Sequence, residues 1–154
     1  MAGVSYQLWF AVRYAHVASA ALLAGGAMLA AALCGTAAGL ESGVLTTAAS
    51  AYEWTFWSVV GLAAATGVSN LGLKGDGLLG PDTSWGVALS VKLGAVLFLL
   101  AVSFVRTDII VRCRGASRID GARARRVLTA LYAVTGLTLL AVLWLGLGLA
   151  HGRY

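Results

Sequence analysis

Apolar positions in this chain follow neither the alternation of a half-buried strand nor the single stripe of an amphipathic helix. They run through four segments, about 9–33, 53–73, 85–105 and 127–150, each apolar on all sides and rich in Ala, Leu, Val and Gly. A helix needs about 20 such residues to cross a hydrocarbon core of about 30 Å, and each segment reaches that length. A transmembrane barrel would instead alternate apolar and polar residues over short stretches. The pattern therefore predicts an all-α fold, an integral membrane four-helix bundle in which residues 1–154 form one transmembrane domain. The connections are too short for a separate soluble domain, and one of them carries the Gly75-Asp76-Gly77 and Gly80-Pro81-Asp82 turn chemistry.

Charge then orients the bundle. Only 11% of residues are charged and 60% are hydrophobic, against about 25% charged in soluble domains, so water is excluded as the main solvent. The net charge of +5 comes largely from one connection, 106–126, which holds Arg106, Arg112, Arg114, Arg118, Arg123, Arg125 and Arg126. The connection 34–52 holds no Lys or Arg, and beyond the helices the opposite side shows only Lys74 and Arg153. By the positive-inside rule 106–126 is cytoplasmic. Both termini are then periplasmic, and the chain is expected to be a multi-pass protein of the bacterial cytoplasmic (inner) membrane. Topogenesis explains the arginines and nucleic-acid binding is not implied; docking to anionic lipid or to a partner is the other reading. The first apolar run contains Arg13 and continues to about Leu33, as in a retained helix and unlike a signal peptide. Cys34 and Cys113 are too few for a disulfide framework or zinc ribbon and are expected to be unpaired thiols.

Ionisable side chains inside a span are costly and usually face the bundle interior. Arg13, His16 and Lys92 are such residues. At about 1.5 Å per residue, His16 and Lys92 both lie about 10 Å below the outer boundary. Asn70, with Thr66 one turn before it, reaches the same half from the second helix, and His151 ends the fourth. Arg13, His16, Asn70, Lys92 and His151 are thus expected to converge on the periplasmic half, with nothing comparable in the cytoplasmic half. Blander readings stand beside this one. Arg13 is near enough to the boundary to snorkel, His16 can serve as an interhelical hydrogen-bond donor, and His151 can be a solvated terminal residue. Lys92 calls for an anion, because no Asp or Glu occurs at its depth in the first, third or fourth helix. Dense small residues, including Gly25, Gly26, Gly61, Gly67, Gly136 and Gly146, point to close helix packing, with room for a flat ligand as a weaker suggestion. Trp9, Phe10, Trp54, Phe56 and Trp57 read as interfacial belts.

A haem b fits this inventory. An imidazole ligates iron, cationic side chains answer the propionates, and the bundle excludes water. His16 is the expected first axial ligand and His151 the candidate second, with Arg13 and Lys92 near the propionates and Asn70 in the same layer. Copper is the alternative, although soft Cu(I) sites favour Met and Cys, and Met1 and Met28 are the only methionines. No zinc-type His pair, nucleophile elbow, phosphate loop or paired carboxylates occur, so hydrolytic chemistry has no candidate residues.

With these residues in place, Arg13-Tyr-Ala-His16 followed by Gly25-Gly26, then Thr66-Gly67-Val-Ser-Asn70, then Ser90-Val-Lys92-Leu93, the chain resembles the copper-resistance D (CopD) membrane domain. It is similar also to the related HemJ-type protoporphyrinogen oxidases. The resemblance spans nearly the whole chain through short motifs. It implies a haem ligand at His16 and a functionally paired lysine at Lys92. The leading expectation is a haem b membrane protein acting in electron transfer or as an accessory subunit of a larger membrane redox complex. Copper transport or resistance, or porphyrinogen oxidation, is the alternative. Its expected partners are the lipid bilayer and other membrane subunits or further copies of itself.

Overall fold

The structure is a computed structural model that describes residues 2–36, 42–73, 82–115 and 122–151. Four helices make up nearly all of it: α1 (Ala2–Thr36), α2 (Ser42–Leu73), α3 (Ser84–Gly115) and α4 (Ala122–Ala150). The single proline, Pro81, lies outside them, so no helix loses an internal hydrogen bond to a proline ring. At the start of α3 the Thr83 hydroxyl accepts the Gly86 amide at 3.0 Å, an N-cap that fixes where the helix begins.

The helices extend past the apolar runs. α1 starts at Ala2, α2 at Ser42 and α4 at Ala122, and α3 continues to Gly115. The boundaries expected at 9, 53, 105 and 127 mark where hydropathy changes, whereas the backbone stays helical through the polar turns beyond. Much of the basic connection is therefore helix, and Arg106, Arg112, Arg125 and Arg126 belong to α3 and α4. Lys74, Arg118, Arg153 and, apart from Asp82, both glycine turns lie outside the described residues, as do the side chains of Arg114 and Arg123.

α1, α3 and α4 are long and apolar enough to cross a membrane. Among the described residues α2, 32 residues long, is not in that set. It nevertheless packs in the bundle. α1 packs against α2 and α4, α4 against α3, and α2 meets α3 along the thinnest of these seams. Successive helices run antiparallel. The Tyr52 hydroxyl donates to the Leu23 carbonyl at 3.1 Å, while His16 meets Ala63, later in α2. Met28 likewise lies beside Gly136 and Gly35 beside Thr129. The start of α1 and the end of α4 share one end, called here the terminal end. Arg112, Arg125 and Arg126 mark the other, the basic end.

Polar and apolar tiers alternate along the bundle axis. Nearest the terminal end come His16, Thr66 and Lys92. Beneath them Leu23, Ala24, Phe56, Leu99 and Leu139 form an apolar cluster. A buried polar group around Glu53 and Arg106 follows. A second apolar cluster, with Ala30, Ala31, Cys34, Leu45, Ile110 and Leu128, closes toward the basic end. Cys34 is buried there, Cys113 packs beside the same cluster, and both are free thiols.

Candidate functional site

His16 sits half-buried where α1 crosses α2. Its Nδ1 lies 2.9 Å from the Ala63 carbonyl oxygen and 3.1 Å from Thr66 Oγ1. A carbonyl can only accept, so Nδ1 carries the proton. The Thr66 hydroxyl spends its own hydrogen on the Leu62 carbonyl at 2.8 Å, which leaves its oxygen free to accept from His16 as well. In a neutral ring with Nδ1 protonated, Nε2 keeps its lone pair, the tautomer that a metal-ligating histidine takes when a backbone carbonyl holds its other nitrogen.

Lys92 enters the same tier from α3, half-buried and within electrostatic reach of His16. Among the described residues its ammonium has neither an ion-pair nor a hydrogen-bond partner. Both residues rest on glycines. A Cβ on Gly67 would lie 3.1 Å from His16 Cε1, and one on Gly146 would lie 3.1 Å from Lys92 Nζ. These two small residues therefore make space for the polar side chains themselves. Gly26 and Gly136 do the same for Tyr52 and Met28, whereas Gly25 and Gly61 face open space.

The other expected residues are placed less centrally. Arg13 stacks its guanidinium over the Trp9 ring, 5.1 Å from the centroid and one turn nearer the terminal end, a snorkelling arrangement. Asn70 is half-buried one turn beyond Thr66. His151 is exposed just past α4, and its Nδ1 donates to its own helix at Leu147 O, 2.8 Å away. His16 and Lys92 thus share a tier, and His151 stands at its edge.

The expectation that the opposite half holds nothing comparable is corrected by the structure. Glu53, 5% exposed, and Arg106, 0% exposed, form a buried ion pair with Arg106 Nε 2.6 Å from Glu53 Oε1. Arg106 Nη2 donates to Glu53 Oε2 at 3.2 Å and Nη1 to Thr135 Oγ1 at 2.7 Å. Tyr132 donates to Glu53 Oε1 at 3.0 Å, and Thr107 to Oε2 at 2.5 Å. Trp57 Nε1 donates to Thr107 at 2.9 Å. The guanidinium lies 4.7 to 5.2 Å from the ring centroids of Phe56, Tyr132 and Tyr52. Arg106 is therefore an interior residue, not a loop arginine that orients the chain. Phe56 and Trp57 belong to the interior as well, leaving Trp54, at 74% exposed, as the outward-facing residue of that trio. One signal could have found the group, since Glu53 is the sole acidic residue in α2 and needs a cation once α2 is extended to Ser42.

Comparison with family profiles, with curated proteins and with solved structures finds no match for this chain. The site's chemistry stands on its own donor set. Among the described residues no three of His, Cys, Asp and Glu gather as ligands for a bare metal ion. A haem iron needs only one or two side-chain ligands because the macrocycle supplies four nitrogens. An Nε2 lone pair, an unpartnered ammonium in the same tier and a low-dielectric bundle fit that group.

Proposed function

We propose that this chain is a haem b-binding protein of the bacterial cytoplasmic membrane, acting in electron transfer or as an accessory subunit of a larger membrane redox complex. One observation carries the reading: His16 is held by the Ala63 carbonyl and Thr66 in the tautomer that leaves Nε2 free, in the tier where Lys92 lacks an anion. His16 would hold the iron through Nε2, and Lys92, with Arg13 nearer the boundary, would answer the propionates. When bound, haem b supplies a reversible one-electron iron couple. The chain's own residues fix the imidazole through Ala63 and Thr66 and hold the Lys92 charge in the same tier, above the apolar cluster of Leu23, Phe56, Leu99 and Leu139. His151, the second of two histidines, donates its Nδ1 hydrogen to the Leu147 carbonyl and would supply a sixth ligand through Nε2.

The visible spectrum of the purified full chain tests this. A Soret band with reducible α and β bands is expected, together with its loss in His16→Ala. In a six-coordinate protein with His151 as ligand, His151→Ala converts a low-spin spectrum to a high-spin one. A colourless preparation, or a His16→Ala spectrum like that of the parent, overturns the assignment.

A further inference from the structure

α2 presents a problem that the other helices do not. It is as long as its neighbours and, taken along its whole length, as apolar. Yet it places an ionised carboxylate in its interior, with Glu53 three turns past Ser42. An unpaired carboxylate at such a depth is strongly disfavoured in lipid.

The partner comes from α3. Arg106 stands in α3 just past the apolar run that ends near Val105. Neither charge reaches water, since the two side chains are 6% and 0% exposed. The fork-like guanidinium satisfies both carboxylate oxygens, and Thr107 and Tyr132 donate to the same pair. Aromatic faces cover the cation, so the assembled pair presents no unmet polar atom to lipid. Its location is also telling. α2 and α3 share the thinnest seam in the bundle, and the contacts that join them gather here, with Trp57 on Thr107 and Phe104 beside the ion pair.

We propose that Glu53 and Arg106 form an insertion clamp: α2 becomes a transmembrane helix as one half of a hairpin with α3, with Arg106 neutralising the charge that α2 cannot carry into lipid alone. The clamp works through charge pairing and is independent of any cofactor.

The test uses the full chain in membranes, in a Cys34→Ser/Cys113→Ser background. Single cysteines replace exposed Gly43, at the start of α2, and exposed Asp82, before α3, and are read with a membrane-impermeant maleimide. In the parent the two positions label from opposite faces. With Arg106→Leu, which strands Glu53, the ratio of chains with α2 across the membrane to chains without it should fall by about tenfold or more. The double variant Glu53→Leu/Arg106→Leu has no charge to compensate and should restore opposite-face labelling. Parent-like labelling in Arg106→Leu overturns the clamp. Failure of both variants overturns it too, because α2 would then need the packing of Arg106 and not its charge.

Discussion

Gly67 shows how much one hydrogen atom decides at this site. Its missing side chain lets the His16 ring lie against α2, and a methyl there would sit 3.1 Å from Cε1. Because the ring is rigid and already held by Ala63, Gly67→Val should push the imidazole off its carbonyl and abolish haem retention. Gly61→Ala, two turns away in open space, should leave the spectrum unchanged; comparing the two Soret intensities checks both. Thr66→Val removes one of the two groups that accept from His16 Nδ1. Loss of such outer partners weakens metal sites by about 10- to 100-fold, so haem titration should show a drop near the lower figure, the carbonyl remaining. His16 and Lys92 were legible in the sequence because a titratable residue inside an apolar run has few innocent explanations. The tautomer of His16 was not, since it depends on a carbonyl 47 positions away.

Among the elements, α2 departs furthest from its sequence reading. Hydropathy places a boundary at Glu53 because a charged residue ends an apolar run, yet the helix runs on for eleven residues before it. What permits this is Arg106, 53 positions along the chain, and no local pattern encodes a pairing of that range. The same rule ended α3 one residue too soon to include Arg106 in the bundle. Two substitutions probe how firmly α2 is held. Tyr132→Phe leaves Glu53 one donor short and should cost about 1–3 kcal/mol, as expected when a buried charged acceptor loses a partner. Gly26→Ala would bring a methyl to 2.7 Å from Tyr52 Cε2. A rigid ring cannot yield cheaply, so the Tyr52 bond to Leu23 should break at a cost of about 1–3 kcal/mol. Denaturation in detergent micelles measures both, with Gly25→Ala, which meets nothing, as the neutral control.

For the whole molecule, four apolar runs were enough to predict a helical bundle, and the antiparallel order of its helices brings the start of α1 and the end of α4 to one end. Reporter fusions before Ala2 and after His151 should therefore report the same face. If the arginines near Arg112 and Arg125 face the cytoplasm, as the positive-inside rule requires, that face is the periplasm. A fusion after His151 that is active only in the cytoplasm would reverse the orientation. The architecture along the axis was beyond the reach of composition, because apolar and polar tiers are built from residues far apart in sequence. Their alternation has an electrical consequence. The cluster of Leu23, Phe56, Leu99 and Leu139 separates the His16–Lys92 tier from the neutral Glu53–Arg106 pair, so among the described residues no chain of ionisable groups runs continuously from one face to the other. Most of a transmembrane voltage would then fall across hydrocarbon side chains. Proteoliposomes containing the protein should therefore hold a proton gradient as long as protein-free vesicles do.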